Sequence, residues 1–162
     1  MKHALIVIDV QNDYFPGGAY PLEGAEDAAA EIVGALRQVC KEGWIVVGVQ
    51  HVATPDATFF RPGSPGTDIE KSVATALGTA LVLQKKEADS FYNTGLEKLL
   101  RDAGVTDIWL TGMMTQHCIT HTALSSQVRS MRVHVLAKGC AAPTREFSNL
   151  ALSGLQTRCT VR

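Results

Sequence analysis

Apolar residues along the chain switch repeatedly between two patterns, short unbroken runs and helical stripes. Residues 4–8, Ala-Leu-Ile-Val-Ile, form a continuous apolar run without alternation, as expected of a strand covered on both faces in a parallel sheet. Comparable runs fall at 44–49, 80–83, 108–110 and 132–136, and 159–161 begins a sixth. Between the first two, Ala25, Ala28, Ala29, Ile32, Leu36 and Val39 recur at helical spacing, with Glu26, Asp27, Glu31, Gln38 and Lys41 opposite them and Gly43 as the stop. The pattern predicts further helices over 68–77, 94–103 and 143–155. Another begins at Ile119, with Ile119, Thr122, Ala123 and Ser126 on its core face.

Strand and helix alternate five or six times, which predicts one α/β domain over 1–162, a doubly wound parallel sheet with right-handed crossovers. Two segments resist regular structure. Residues 10–22 hold Pro16, Gly17, Gly18 and Pro21, and 50–67 hold Pro55, Pro62, Gly63, Pro65 and Gly66, lengths that suit a lid or pocket wall. Sheets of this kind bind ligands beyond the carboxyl ends of their strands, where strand order reverses. Topology therefore gathers Asp9 after strand one, Lys85 or Lys86 after strand three, and Cys118 after strand four.

Composition narrows the partners. A chain of 162 residues can bury about 70% of the surface its unfolded form exposes, enough for a single core. Net charge of -1, with no Lys or Arg cluster, argues against nucleic acid and against a polybasic membrane patch. No apolar window reaches the length of a membrane span, and the opening Met1-Lys2-His3 has the wrong flanks for a signal peptide. Cys40, Cys118, Cys140 and Cys159 are widely spaced without a CxxC pair, which reads as reduced thiols in a cytoplasmic protein. The expected partner is a small molecule.

The chemistry centres on Cys118, where a strand hands over to a helix. Free N–H groups and the positive end of the helix dipole there favour a thiolate and offer a cradle for an oxyanion. A carboxylate can act as general base beside a thiol if a cation tempers their repulsion, and Asp9 with Lys85 fits those roles. Taken singly, each has a plainer reading: a small buried cysteine, a loop carboxylate, a solvated lysine pair. His117 is expected to point away from its neighbour Cys118, His121 to serve a pocket or interface, and Cys140 to be a packed small residue. His51 lacks an Asp two positions before it, so no metal is expected, and no phosphate loop, HExxH or serine elbow implies another cofactor or mechanism.

Three motifs carry a resemblance: Ile6-Val7-Ile8-Asp9-Val10-Gln11-Asn12-Asp13, Lys85 followed by Asp89-Ser90-Phe91-Tyr92-Asn93-Thr94, and Gly112-Met113-Met114-Thr115-Gln116-His117-Cys118. In that order they resemble the isochorismatase-like cysteine hydrolases, a superfamily that includes nicotinamidases, carbamoylsarcosine amidases and ureidoacrylate amidohydrolases. The resemblance implies a three-layer α/β/α fold around a six-stranded parallel sheet, assembly into homo-oligomers, and an Asp9–Lys85–Cys118 triad with Lys86 as the fallback lysine. It also implies a cis peptide between Met113 and Met114, so that the N–H groups of Met114 and Cys118 form the oxyanion hole. Nicotinamidases of this superfamily hold a metal through an Asp and histidines, and the segment at Gln50-His51 lacks the Asp. Gln50 matches a polar pocket position of the isochorismatase branch, which cleaves a vinyl ether and often lacks the cysteine.

The function expected is hydrolysis of the C–N bond of a small amide through a thioester. Alternatives are an isochorismatase-type ether hydrolase and a non-catalytic thiol-redox or binding protein on the same fold. Pocket walls are expected from Tyr14, Phe15, Phe59, Phe60, Phe91 and Met114, with Gln11, Gln50 and His117 as polar lining, which suits a compact, partly apolar ligand.

Overall fold

The computed structural model describes residues 1–162. Its six strands are β1 (His3–Ile8), β2 (Ile45–His51), β3 (Leu81–Lys85), β4 (Asp107–Met113), β5 (Arg132–Ala141) and β6 (Thr160–Val161). They form one sheet in the order β3-β2-β1-β4-β5-β6, every pair parallel. The reversal of strand order falls between β1 and β4, the crevice where such folds bind ligands.

Five helices cover the faces: α1 (Ala25–Lys41), α2 (Lys71–Leu77), α3 (Leu96–Asp102), α4 (Thr120–Ala123) and α5 (Arg145–Leu155). The unbroken apolar runs serve both layers at once because side chains alternate across a pleated sheet. From β1, Ala4, Ile6 and Ile8 pack with Leu96 and Leu100 of α3 and with Leu152 and Leu155 of α5. Leu5 and Val7 face the opposite layer, against Ala28, Ile32 and Leu36 of α1 and Val73 and Leu77 of α2.

Most predicted elements stand within a few residues of their observed bounds, and two kinds of difference are informative. Strands β2 to β5 run further toward their carboxyl ends than the apolar runs do, so Lys85 and His51 are strand residues. The helix expected from Ile119 is a wide π-type turn at Thr115–Ile119 followed by only four α-helical residues. Ile119, Thr122 and Ala123 are buried as expected, but Ser126 lies exposed in the next 3-10 turn, because the helix has already ended.

Candidate active site

Each candidate side chain stands at or just beyond the carboxyl end of a strand. Asp9 follows β1 with φ of 52°, a left-handed conformation that Asp and Asn tolerate better than other side-chain-bearing residues. Its N–H donates to Val49 O of β2 at 3.0 Å. Beside it, Gly112 of β4 approaches so closely that a Cβ there would collide with the Ile8 carbonyl, so only glycine lets β4 deliver Cys118 next to Asp9. The Met113–Met114 peptide bond is cis, and Met114 caps the π-type turn that carries Cys118.

Lys85, the last residue of β3, is the hub. Its Nζ lies 2.9 Å from Asp9 Oδ2, and both side chains are fully shielded from solvent. The same ammonium donates to Cys118 Sγ at 3.2 Å and to the carbonyls of Glu87 at 2.8 Å and Ala88 at 3.3 Å, and it meets His51 Nδ1 at 3.2 Å. Lys86 is exposed, and of the two lysines it is Lys85 that meets Asp9 and Cys118. The three strand ends are not mutual neighbours, since β2 lies between β1 and β3. Lys85 pairs in register with His51 of β2, and its long side chain spans that strand to reach Asp9.

Electrostatics set a different resting state from the one expected at a helix start. Burial pushes the Asp9 carboxyl above the usual carboxylate range, with Lys85 pulling the other way. Lys85 Nζ, the Cys118 thiol and the His51 backbone are the groups that favour its charge, and burial outweighs them. The Cys118 thiol is pushed up strongly by burial and by Asp9, outweighing Lys85. It rests as a thiol rather than a thiolate, because a 2% exposed sulfur beside a carboxylate gains more from neutrality than one short helical turn returns. Lys85 remains protonated: burial opposes its charge, but Asp9 and Cys118 together raise its pKa.

His51 is the residue that sequence reasoning undervalued. With Asp9 and Cys118 it forms a set of side chains whose N, O and S atoms lie within 4.8 Å of one another. By type these are metal donors, but Lys85 Nζ sits among them at hydrogen-bond distance, so the cation this trio encloses is the ammonium. Burial and Lys85 lower the His51 pKa to about 4, leaving a neutral imidazole. The signal was present in sequence only as the end of the strand between the two that carry Asp9 and Lys85.

The expected pocket residues divide. Gln11 is buried, with Nε2 donating to the carbonyls of His51 and Thr67 at 2.8 Å each and Oε1 accepting from His51 N at 2.8 Å. Gln50 donates to Thr67 O at 2.9 Å. Both amides therefore brace the 50–67 segment over the site. Asp13 joins them: its carboxylate accepts from Phe60 N at 2.7 Å and Ala19 N at 3.1 Å, and leaves no room for a Cβ at Gly66. Tyr14, Phe15 and Phe60 lie in the core on the α1 side with Phe59 and Met114 packed against it, and Phe91 lies in the opposite core.

A cleft of about 570 Å3 opens beside Lys85 and Cys118, lined by His51, Lys86, Glu87, Ala88, Asp89, Tyr92, His117 and His121. Its wall is more polar than the aromatic one expected. His117 Nδ1 comes within 3.6 Å of Cys118 Sγ, contrary to the expectation that it points away, because the π-type turn does not keep the α-helical angle between successive side chains. His117 and His121 stand ring to ring at 5.1 Å. Cys140 takes no part: its Sγ donates to Leu136 O in its own strand at 3.3 Å.

Comparison with known proteins places this geometry. A family model described as an isochorismatase domain matches residues 3–161. The isochorismatase family protein YddQ of Bacillus subtilis (strain 168), itself uncharacterized, is 35% identical over 150 residues, covering 92% of this chain and 83% of YddQ. A nicotinamidase/pyrazinamidase of Mycobacterium tuberculosis is 26% identical over 175 residues, covering 95% of this chain and 94% of that enzyme. The crystal structure of an isochorismatase family protein from Desulfovibrio vulgaris superposes with a TM-score of 0.90 at 26% identity, covering 99% of this chain and 93% of that one.

Proposed function

Because the chain belongs to the isochorismatase family of hydrolases over nearly its whole length, we propose that it is a cysteine hydrolase cleaving the C–N bond of a small amide. The observation that carries this reading is the buried contact set of Asp9, Lys85 and Cys118 at the reversal point of the sheet.

The chemistry follows from the resting charges. Asp9, its carboxyl pushed up by burial, takes the Cys118 proton as substrate arrives. The sulfur attacks the amide carbon, and the N–H groups of Met114 and Cys118 are the donors assigned to the tetrahedral oxyanion. Asp9 returns the proton to the departing amine, leaving a thioester and free amine. Water, deprotonated by Asp9, then releases the carboxylic acid and restores the thiol. Lys85 stays charged throughout and fixes both partners. The nicotinamidase among the relatives favours an amide over an ether, and the polar cleft favours an amide carrying hydrogen-bonding groups.

The test is a panel of small amides, nicotinamide among them, with intact-mass detection of a Cys118 acyl adduct. Wild type should turn over at least one and accumulate the adduct on quenching, whereas Cys118→Ala should lose both. Turnover retained by Cys118→Ala would remove the reading.

A further inference from the structure

Two clefts of nearly equal size lie away from the one beside Cys118, and their charges differ. The first, of about 550 Å3, opens between α1 and α5. Its Arg145 is paired with Glu23 at 3.5 Å and Asp27 at 3.1 Å, and Glu31 lines the same wall. The second, of about 570 Å3, opens at the amino end of β5 beside β6, where Arg129, Arg132 and Arg158 line it and no carboxylate does. Neither Arg129 nor Arg158 has an ion-pair partner in the chain. This second cleft shares no lining residue with the cleft beside Cys118.

We propose that the arginine-lined cleft binds the phosphate or pyrophosphate group of a small organic molecule, a nucleoside diphosphate being the class that fits. The three arginines are scattered in sequence, and the fold collects them. Arg129 ends the 3-10 turn after α4, Arg132 opens β5, and Arg158 follows α5. Asp107 clamps Arg132 through Nε at 2.7 Å and Nη2 at 2.8 Å, which fixes the guanidinium and leaves its Nη1 donors unused. Asp107 also offsets that one charge. The cleft keeps the other two, from Arg129 and Arg158, and a phosphate ester carries about two charges of the opposite sign near neutral pH. Guanidinium forks match phosphate oxygens in pairs, and a cleft walled by one sign of charge concentrates its field on the ligand.

The rest of the wall suits the organic part of such a molecule. Val128, Met131 and Val133 supply apolar surface, and the exposed Ser126 and Thr160 add hydroxyls that can donate to phosphate or sugar oxygens. The volume lies in the range of small-molecule sites and exceeds what a bare phosphate fills. The α1 and α5 cleft shows what the same space becomes when its arginine is neutralised: carboxylates on that wall would repel the ligand that the arginine-lined cleft attracts.

Calorimetric titration with ADP as the probe, at about 0.15 M salt, should show saturable binding to wild type with a Kd below about 1 mM. Arg129→Ala and Arg158→Ala should each weaken it about tenfold or more while leaving the thermal midpoint unchanged, since both side chains are exposed. Arg145→Ala, in the neutralised cleft, should leave the Kd within about twofold, and so should Cys118→Ala, because the active-site cleft is separate. Absence of saturable binding up to about 10 mM ADP overturns the proposal. So does an equal loss from Arg145→Ala, which would reveal only general charge attraction, or a loss from Cys118→Ala, which would put ADP in the active-site cleft. Citrate binding as tightly as ADP would overturn the assignment to phosphate.

Discussion

Two aspartates are buried at opposite ends of this sheet, and the protein treats them in opposite ways. Asp107 opens β4 at the amino end. Its carboxylate accepts from Arg132 Nε at 2.7 Å and Nη2 at 2.8 Å and from Thr106 Oγ1 at 2.7 Å, and it meets His134 Nε2 at 3.2 Å. Arg132 and those other donors hold its pKa far below the usual carboxylate range. Asp9, beyond the carboxyl end of β1, faces one ammonium and the Cys118 thiol, and burial outweighs them and raises its pKa. Several donors at a strand end make a permanent charge that fastens strands together; deeper burial with fewer donors leaves a carboxyl whose charge is less favoured. Burial alone does not mark a functional carboxylate. The two carboxyls differ in how far their surroundings favour the charge.

Substituting each aspartate tests that contrast most severely. Asp9→Asn should lower turnover by about 10²- to 10⁴-fold, the range a general base supplies, whereas Asp107→Asn should leave turnover within about twofold. Steady-state kinetics on whichever amide wild type hydrolyses measures both, and equal losses would erase the distinction between the two sites.

Stability should reverse the ranking. Asp107→Asn removes charge-assisted hydrogen bonds and should cost about 1–2 kcal/mol in urea unfolding, kept modest by the 60% exposure of Arg132. Replacing the other pair together, Asp9→Asn with Lys85→Met, should be neutral or stabilising by up to about 4 kcal/mol, because desolvation of both ions is relieved at once. Loss of stability in that double variant would mean the Asp9–Lys85 pair helps hold the fold rather than weakening it for activity.

Acid sharpens the comparison further. A carboxylate with a depressed folded pKa contributes stability that is complete above its unfolded value of 3.8 and fades as pH falls below it; a raised one, like Asp9, favours the fold below 3.8 and loses that contribution as pH rises. Wild type should therefore keep its advantage over Asp107→Asn down to about pH 4 and lose it progressively below that, with the two urea midpoints converging in stronger acid. For Asp9→Asn no such convergence is expected. The smallest effect concerns His51. With a pKa near 4, it should leave no inflection near 6.5 in the pH dependence of kcat/KM, and any inflection it contributes should move to about 4.

The order of elements and the cysteine, aspartate and lysine at the strand ends were legible in the chain because their signals are local. Apolar runs such as 4–8 and the helical stripe from Ala25 to Val39 reflect burial on two faces or one, and a family motif preserves its reacting residues in order. Gln11, Gln50 and Asp13 were readable as residues but not as braces. Their partners are backbone groups 40, 17 and 47 positions away, which no local pattern encodes.

By itself, then, the sequence determined a parallel α/β sheet and the kinds of group that meet at its carboxyl edge. Tertiary structure alone decided the rest of the site. It chose Lys85 over Lys86 by aiming one side chain across β2 and the other into water, and it brought His51 to the ammonium by strand register. It also made Cys118 a resting thiol, since a pKa depends on the charges and water around a group, and those are set by contacts between segments far apart in the chain.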